Sequence, residues 1–454
     1  MNKFLFDEFD TVSASQWKQK IQFDIKGADF NETLRTPTSD GITINPFYHA
    51  DELEKVEVPT LSQVYKICQT IFVSNELKAN SIALDSLKRG AQSIQFIIPE
   101  KFNPTGLLKN IFEAFPETEI HFNFKFLDEI FLSQLILQFK GKNVFYNLDL
   151  IGNLAETGNW FYNLKKDHEI VENLIQKTKK KQYLLAVNTS IYQNAGANNI
   201  QQIAYALAQA NEYLTHFGGS VAHQIQFHFA VGSNYFFEIS KLRAFRYLWN
   251  LLLSEYHIKS EPKIFAEPTL RNKTLYDFNT NLLRTTTECM SAILGGVTTI
   301  SNVSYDRVFS KRNEFGERIA RNQLLILKEE SYFKDTAQIA DYSYYIESIT
   351  KQMAEKSLAI FKEIEQGGGF LKQVKEGIIQ RKISENAQKE QVLFDENKLM
   401  ILGSNRYPNP SDQMKSAIEI YPFVRKKVRK TLILPIIPSR LTEQYEQNRL
   451  NHEA

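Results

Sequence analysis

The sequence predicts an α/β chain built on a (β/α)8 TIM barrel, with an extended arm before it and a helical extension after it. Three observations carry this. Eight short apolar runs alternate with helix-like stretches, their starts roughly 23–41 residues apart, as a βα repeat requires. Within residues 120–126, Phe122, Phe124 and Phe126 alternate with His121, Asn123 and Lys125, the period of two expected of a strand with two distinct faces. Between the fourth and fifth runs, Ile200, Ile203, Ala204, Leu207 and Leu214 fall on one helical stripe. Eight such units favour a closed barrel over an open doubly wound sheet.

Taken in order, residues 1–60 show little periodicity and are punctuated by Asp40-Gly41 and Pro46, so they read as an extended arm over a neighbour or over its own domain. The expected strands are the runs 93–99, 120–126, 143–151, 183–189, 224–230, 263–267, 298–303 and, weakest, 338–342. Residues 61–345 are the expected barrel. Residues 346–454 are the expected helical extension, broken by Gly367-Gly368-Gly369 and ending in a basic stretch and a linker-like tail. The fourth run, 183–189, leads into a polar turn and a helix, the place where barrels of this type carry chemistry. Yet Ser190, Ile191 and Tyr192 offer no strong acid or base, no thiol and no usual metal ligand.

The chain has 454 residues, 43% hydrophobic and 23% charged, with a net charge of +2. Interspersed charge of both signs argues against an obligate nucleic-acid partner. Cys68 and Cys289 imply a reducing compartment without a disulfide framework. The N-terminus is acidic where a signal peptide is basic and then apolar, and no apolar run approaches the ~18–20 residues that span a bilayer. The expectation is a cytoplasmic protein without a membrane contact.

Most other candidate sites read as plain structural features. Gly218-Gly219 and Gly367-Gly368-Gly369 lack the spacing of phosphate loops. Lys179-Lys180-Lys181 and residues 425–430 read as solvated faces. The eight histidines show no metal-ligand spacing, and Asp167-His168 reads as surface. No Gly-x-Ser-x-Gly occurs. Asp277, Asn279, Asn281, Arg284 and Glu288 form a dense polar cluster that reads as capping and salt bridges. Glu267 is the one obvious strand-end acid, without an evident carboxylate partner for glycosidase chemistry.

Several stretches together resemble the methylmalonyl-CoA mutase family. They are Asp40-Gly41-Ile42 with Pro46-Phe47-Tyr48, Gln193-Asn194-Ala195-Gly196-Ala197, Asn234-Tyr235-Phe236-Phe237-Glu238-Ile239-Ser240-Lys241-Leu242-Arg243, Asp277-Phe278-Asn279-Thr280-Asn281-Leu282-Leu283-Arg284-Thr285, Phe315-Gly316-Glu317-Arg318-Ile319-Ala320-Arg321-Asn322 and Gly403-x-Asn405-x-Tyr407. They occur in the family's order over about residues 30–410. The resemblance implies a TIM barrel acting on an acyl-CoA with adenosylcobalamin.

The departures fall at the positions the resemblance makes functional. Ser190 and Ile191 replace a Tyr-His pair whose His hydrogen-bonds the thioester carbonyl, and Ile cannot donate a hydrogen bond. Thr70 replaces the Tyr that helps expel the adenosyl group, and Asn194 stands where the family has an acidic residue. Gln224 and Gln226 occupy a coenzyme A-binding strand written Arg-Leu-Ser-Phe in the family. Phe265 begins the stretch that replaces a His-Ser-Gln-Thr-Ser strand end. The Asp-x-His-x-x-Gly loop that ligates cobalt is not found in the sequence. The family's small, non-catalytic subunit has this pattern. The resemblance therefore implies no catalytic residue, no cofactor and no metal on this chain, with adenosylcobalamin on a large catalytic subunit in a heterodimer. The alternatives are a mutase barrel borrowing cobalamin from a separate small chain, or a barrel repurposed to bind acyl-CoA or to hydrolyse another substrate. The N-terminal arm and aromatic outer helices are the expected partner contact.

Overall fold

The computed structural model describes residues 8–62, 64–336, 338–425 and 429–453. Eight parallel strands close into a barrel: β1 Lys66–Phe72, β2 Ser93–Ile98, β3 Glu119–Phe124, β4 Val144–Leu148, β5 Gln182–Asn188, β6 Ile225–Val231, β7 Lys263–Pro268 and β8 Thr299–Ser301. β8 closes the ring by pairing Thr299 with Lys66 on one side and with Phe265 on the other.

The alternation read in residues 120–126 sorts side chains across the wall. Phe122 packs outward, against Phe96 and Phe102, while His121 turns inside. On β6, Phe227 and Phe229 pack outward on Phe245 and Trp249 of helix Tyr235–Glu255. A strand in such a barrel meets helices on one face and the interior on the other, so both faces are buried.

Seven of the eight expected runs are barrel strands. The eighth, 338–342, is a turn in which Tyr342 has φ +64°. The missing strand is β1, whose Lys66, Gln69 and Thr70 dilute the apolar signal. The 183–189 run is therefore the fifth strand, not the fourth.

The N-terminal segment is less extended than its lack of periodicity implied. Helix Ala14–Asp24 is started by a capping box between Ser13 and Gln16 and buries only Ala14, so no apolar stripe announces it. A short ribbon pairs Thr36–Pro37 with Thr43–Ile44 around Gly41, whose φ of +70° suits glycine. In that turn Asp40 accepts hydrogen bonds from Asn199 N (3.2 Å) and Nδ2 (3.3 Å), fixing the ribbon on its own barrel.

After the barrel, helix Tyr344–Gln366 lies against the outer helices, with Ser357 Oγ donating to Ile200 O at 3.2 Å. Irregular chain then follows helix Ile378–Asp395 and is clasped by two barrel arginines. Arg284 donates to Leu402 O (2.7 Å) and Arg271 to Ser439 O (2.9 Å). Of the basic stretch 425–430, residues 426–428 lie outside the described residues; Arg429 donates to Thr157 O at 2.6 Å. Among the described residues no helix is long and apolar enough to cross a membrane.

Candidate functional site

The C-terminal mouth of the barrel is where a site would form. At the end of β5, Thr189 bonds β6 through His228 O, and Ser190 N and Oγ both turn back to Asn188 Oδ1. Ile191 is buried and lines the mouth. The cavity there, walled by Asn123, Asn147, Asp149, Asn188, Ile191 and His228, measures about 50 Å³. Small-molecule sites occupy about 300–1,000 Å³.

Below this cavity the axis is filled. Tyr183 stacks on Phe145 (4.2 Å between centroids) and Phe145 on His121 (4.3 Å). His121 meets Phe265 edge-on at 5.4 Å, and Phe265 stacks on His228 at 4.8 Å. β3 and β7 are four places apart around the ring, so His121 can touch Phe265 only through the interior. Gln226 Oε1 lies 3.1 Å from His121 Nδ1 in the same layer. Five rings from five strands thus plug the barrel. The plug was missed in the sequence, although the polar side of residues 120–126 was its signal.

The structure places the remaining singled-out residues in framework roles. Thr70 Oγ1 is bonded to Gln95 (3.1 Å) and Ser301 (3.0 Å). Asn194 accepts from Thr269 Oγ1 (2.9 Å) and Leu270 N (3.0 Å), tying the turn after β5 to the end of β7. Gly196 has φ +107°, and a Cβ there would lie 2.5 Å from Ala387 Cβ, so only glycine lets helix Ile378–Asp395 approach. Gln224 accepts from Thr178 Oγ1 at the N-terminal end of the barrel, far from the mouth where the resemblance had set the losses. Glu267 is half-buried; burial raises its carboxyl pKa, and the charges of Arg307 and Arg312 oppose this.

The retained motifs are consumed in buried pairs. Glu238 pairs with Lys241, which also donates to Gln202 and Ala230 O at 2.9 Å. Arg243 pairs with Glu347 at 2.7 Å. Glu288 holds Lys273 (2.7 Å), while Asn281 and Arg284 bracket Thr274; of the expected capping and salt-bridge network the salt bridge is present, but Asn279 makes no side-chain cap on helix Thr280–Gly295. Asp167 and His168 are not surface residues. They sit on the inward side of helix Leu164–Ile175, with Asp167 accepting from Phe161 N and Tyr162 N.

Asp149 was also missed. It follows β4 and caps helix Leu150–Thr157, and burial pushes its carboxyl up to about 6 although several donors converge on it. His228 is pushed down to about 3, by burial first and His121 second. A histidine whose folded pKa is depressed contributes stability above its unfolded pKa of about 6.5 and loses it as pH falls toward the folded value. Asp149 and Asp40, both raised to about 6, act in the opposite sense, losing their contribution as pH rises through that value. We therefore expect the stability difference between wild type and His228→Leu to shrink by about 2–3 kcal/mol between pH 6.5 and 4.5 in urea titrations. Parallel pH profiles would rule this out.

The mouth does not fit adenosylcobalamin. The two barrel histidines are buried within the plug, the space above them is about 50 Å³, and no group of three His, Cys, Asp or Glu among the described residues is arranged to hold a metal ion.

Fold and mouth together define a (β/α)8-barrel protein with an enzyme-like frame around a solid interior. The chain belongs to the methylmalonyl-CoA mutase family: the family's sequence profile, described as methylmalonyl-CoA mutase, matches residues 140–445. The chain is 31% identical over 444 residues to the methylmalonyl-CoA mutase small subunit of Porphyromonas gingivalis, covering 89% of this chain and 71% of that one. It is 31% identical over 241 residues to the large subunit of the same organism, covering 50% and 33%. A methylmalonyl-CoA mutase of Cereibacter sphaeroides is 32% identical over 272 residues, covering 57% of this chain and 38% of that one.

Proposed function

We propose that this chain is a non-catalytic small subunit that pairs, in the cytoplasm, with a large subunit interconverting methylmalonyl-CoA and succinyl-CoA with adenosylcobalamin. The reading rests on the five-ring plug across the barrel axis, which leaves a thioester no room beside Ile191. The buried pairs that consume the retained motifs support it, because they preserve the frame and not a reaction. The relatives named small and large subunit in one organism supply the partner class.

Co-expression with the large chain from the same source tests it. The expected result is a stable complex in which isomerase activity tracks the large chain, with none from this chain alone. Turnover by this chain with only a cobalamin-binding protein would establish the borrowed-cobalamin alternative instead.

For the contact we propose the N-terminal segment. Phe9, Trp17 and Phe23 are exposed on or beside a helix that buries only Ala14. Deleting residues 1–28, which stops short of buried Phe30, is expected to weaken association at least about tenfold, or ~1.4 kcal/mol. The barrel's own melting temperature is expected to stay unchanged. Equal affinities in analytical ultracentrifugation would refute this contact.

A further inference from the structure

The small cavity at the mouth has a wall of neutral hydrogen-bonding groups. Four consecutive strands each supply one: Asn123 from β3, Asn147 from β4, Asn188 from β5 and His228 from β6. Asn123 stands two residues beyond His121, on the same face of β3, and Asn188 is paired in register with His228. Asn147 sits at a break in the β4–β5 register with φ +49°, a conformation that asparagine tolerates better than most residues. The four side chains form an arc above the ring stack.

Their polar atoms are not all spent. Among the described residues, both amide atoms of Asn147 and Nε2 of His228 are shut off from solvent without a hydrogen-bond partner, and His228 is only 8% exposed. Buried polar groups are paired in nearly every folded protein, so these call for a partner. The charges in the wall, by contrast, are engaged. Asp149 accepts from Gly152 N, Asn188 N, Gln209 and Tyr213, and Lys125 faces Glu156 at 3.5 Å. An anion would meet the Asp149 carboxylate. A cation would compete with the four donors already seated on it, beside an imidazole that burial keeps neutral.

We infer that this cavity binds a small uncharged amide of the size of acetamide. The carboxamide of Asn147 carries a free donor beside a free acceptor, the complement of a second primary amide, and the His228 nitrogen supplies a further contact. Ala186 and Ile191 add apolar wall for a methyl group. At about 50 Å³ the cavity is several times the ~10–15 Å³ that one water needs, and far below the range of about 300–1,000 Å³ for ordinary ligands, which restricts the occupant to a few non-hydrogen atoms. Asn147 and His228 are not among the positions that the family resemblance makes functional, and the inference stands whether or not the chain pairs with a large subunit.

Saturation-transfer NMR on the full chain alone, with acetamide, acetate and acetamidinium in turn, tests it. The three share a shape and differ in charge. Acetamide is expected to show saturable transfer with Kd of about 1–10 mM, within reach of a ligand of four non-hydrogen atoms, and the two ions to bind at least tenfold more weakly. Asn147→Asp, which suits the same backbone conformation and adds a charge, is expected to weaken acetamide binding more than tenfold. A melting curve checks that this variant folds; if it does not, Asn123→Leu takes its place, with a severalfold loss expected. No saturable transfer from acetamide would show that water alone fills the cavity and would overturn the inference. Binding of acetate or acetamidinium as tight as that of acetamide would overturn it too, as would an acetamide affinity that the folded variant leaves unmoved.

Discussion

Replacing Asp149 with alanine is expected to lower the stability of the chain by about 4 kcal/mol. Four donors converge on this carboxylate: Gly152 N at 2.7 Å, Asn188 N at 2.8 Å, Tyr213 Oη at 2.8 Å and Gln209 Nε2 at 2.6 Å. They come from the helix Asp149 caps, from β5 and from helix Asn199–Phe217. One side chain therefore ties β4, β5 and the outer layer together where the barrel opens. Removing it strands buried donors, each costing about 1–3 kcal/mol, although relaxation recovers some of that sum. Asp149→Asn is expected to fall between wild type and alanine, because its amide nitrogen faces a donor. Urea unfolding at pH 7 measures both; a loss below about 1 kcal/mol for alanine would show that water replaces the carboxylate.

Phe145→Ala is expected to cost about 3–5 kcal/mol, the usual loss for removing a buried ring without collapse of the space. Phe145 is sandwiched between Tyr183 and His121 within a closed wall, so its neighbours have little freedom to move in. The same change at exposed Leu283 is expected to stay within about 0.5 kcal/mol. The vacated space is expected to leave isomerase activity absent, even combined with Ile191→His, because His121, Phe265 and His228 still fill the axis. Measurable turnover by that double variant with a cobalamin-binding protein would mean the mouth is poised for chemistry.

The barrel was legible because its period is imposed by geometry: a strand between helices and an interior must alternate or be apolar throughout. β1 escaped because Thr70 on one face and Gln69 on the other, where it meets Arg321 of an outer helix, make it read as polar loop in a single sequence. Residues 338–342 misled for the converse reason, since a short apolar run in a turn looks like a strand. At the mouth, an apolar Ile191 where the resemblance implies a histidine was visible as a residue type. What fills the axis beneath it was not. The plug draws His121, Phe145, Tyr183, His228 and Phe265 from five runs, and only closure of the ring brings them together. Asp149 was hidden in the same way, since its donors come from β5 and from helices distant in sequence.

The plug also bears on how this interior can change over time. Each ring touches one or two others, so a substitution on one strand alters the fit of residues on strands far away in sequence. Energies of contacting core residues do not add, with interaction terms of about 0.5–3 kcal/mol of either sign. A smaller ring at 145 would be tolerated best alongside a larger one at 121 or 183. Descendants of this barrel should therefore inherit its filling in correlated sets, and a return to a hollow axis would demand several simultaneous replacements, each harmful by itself.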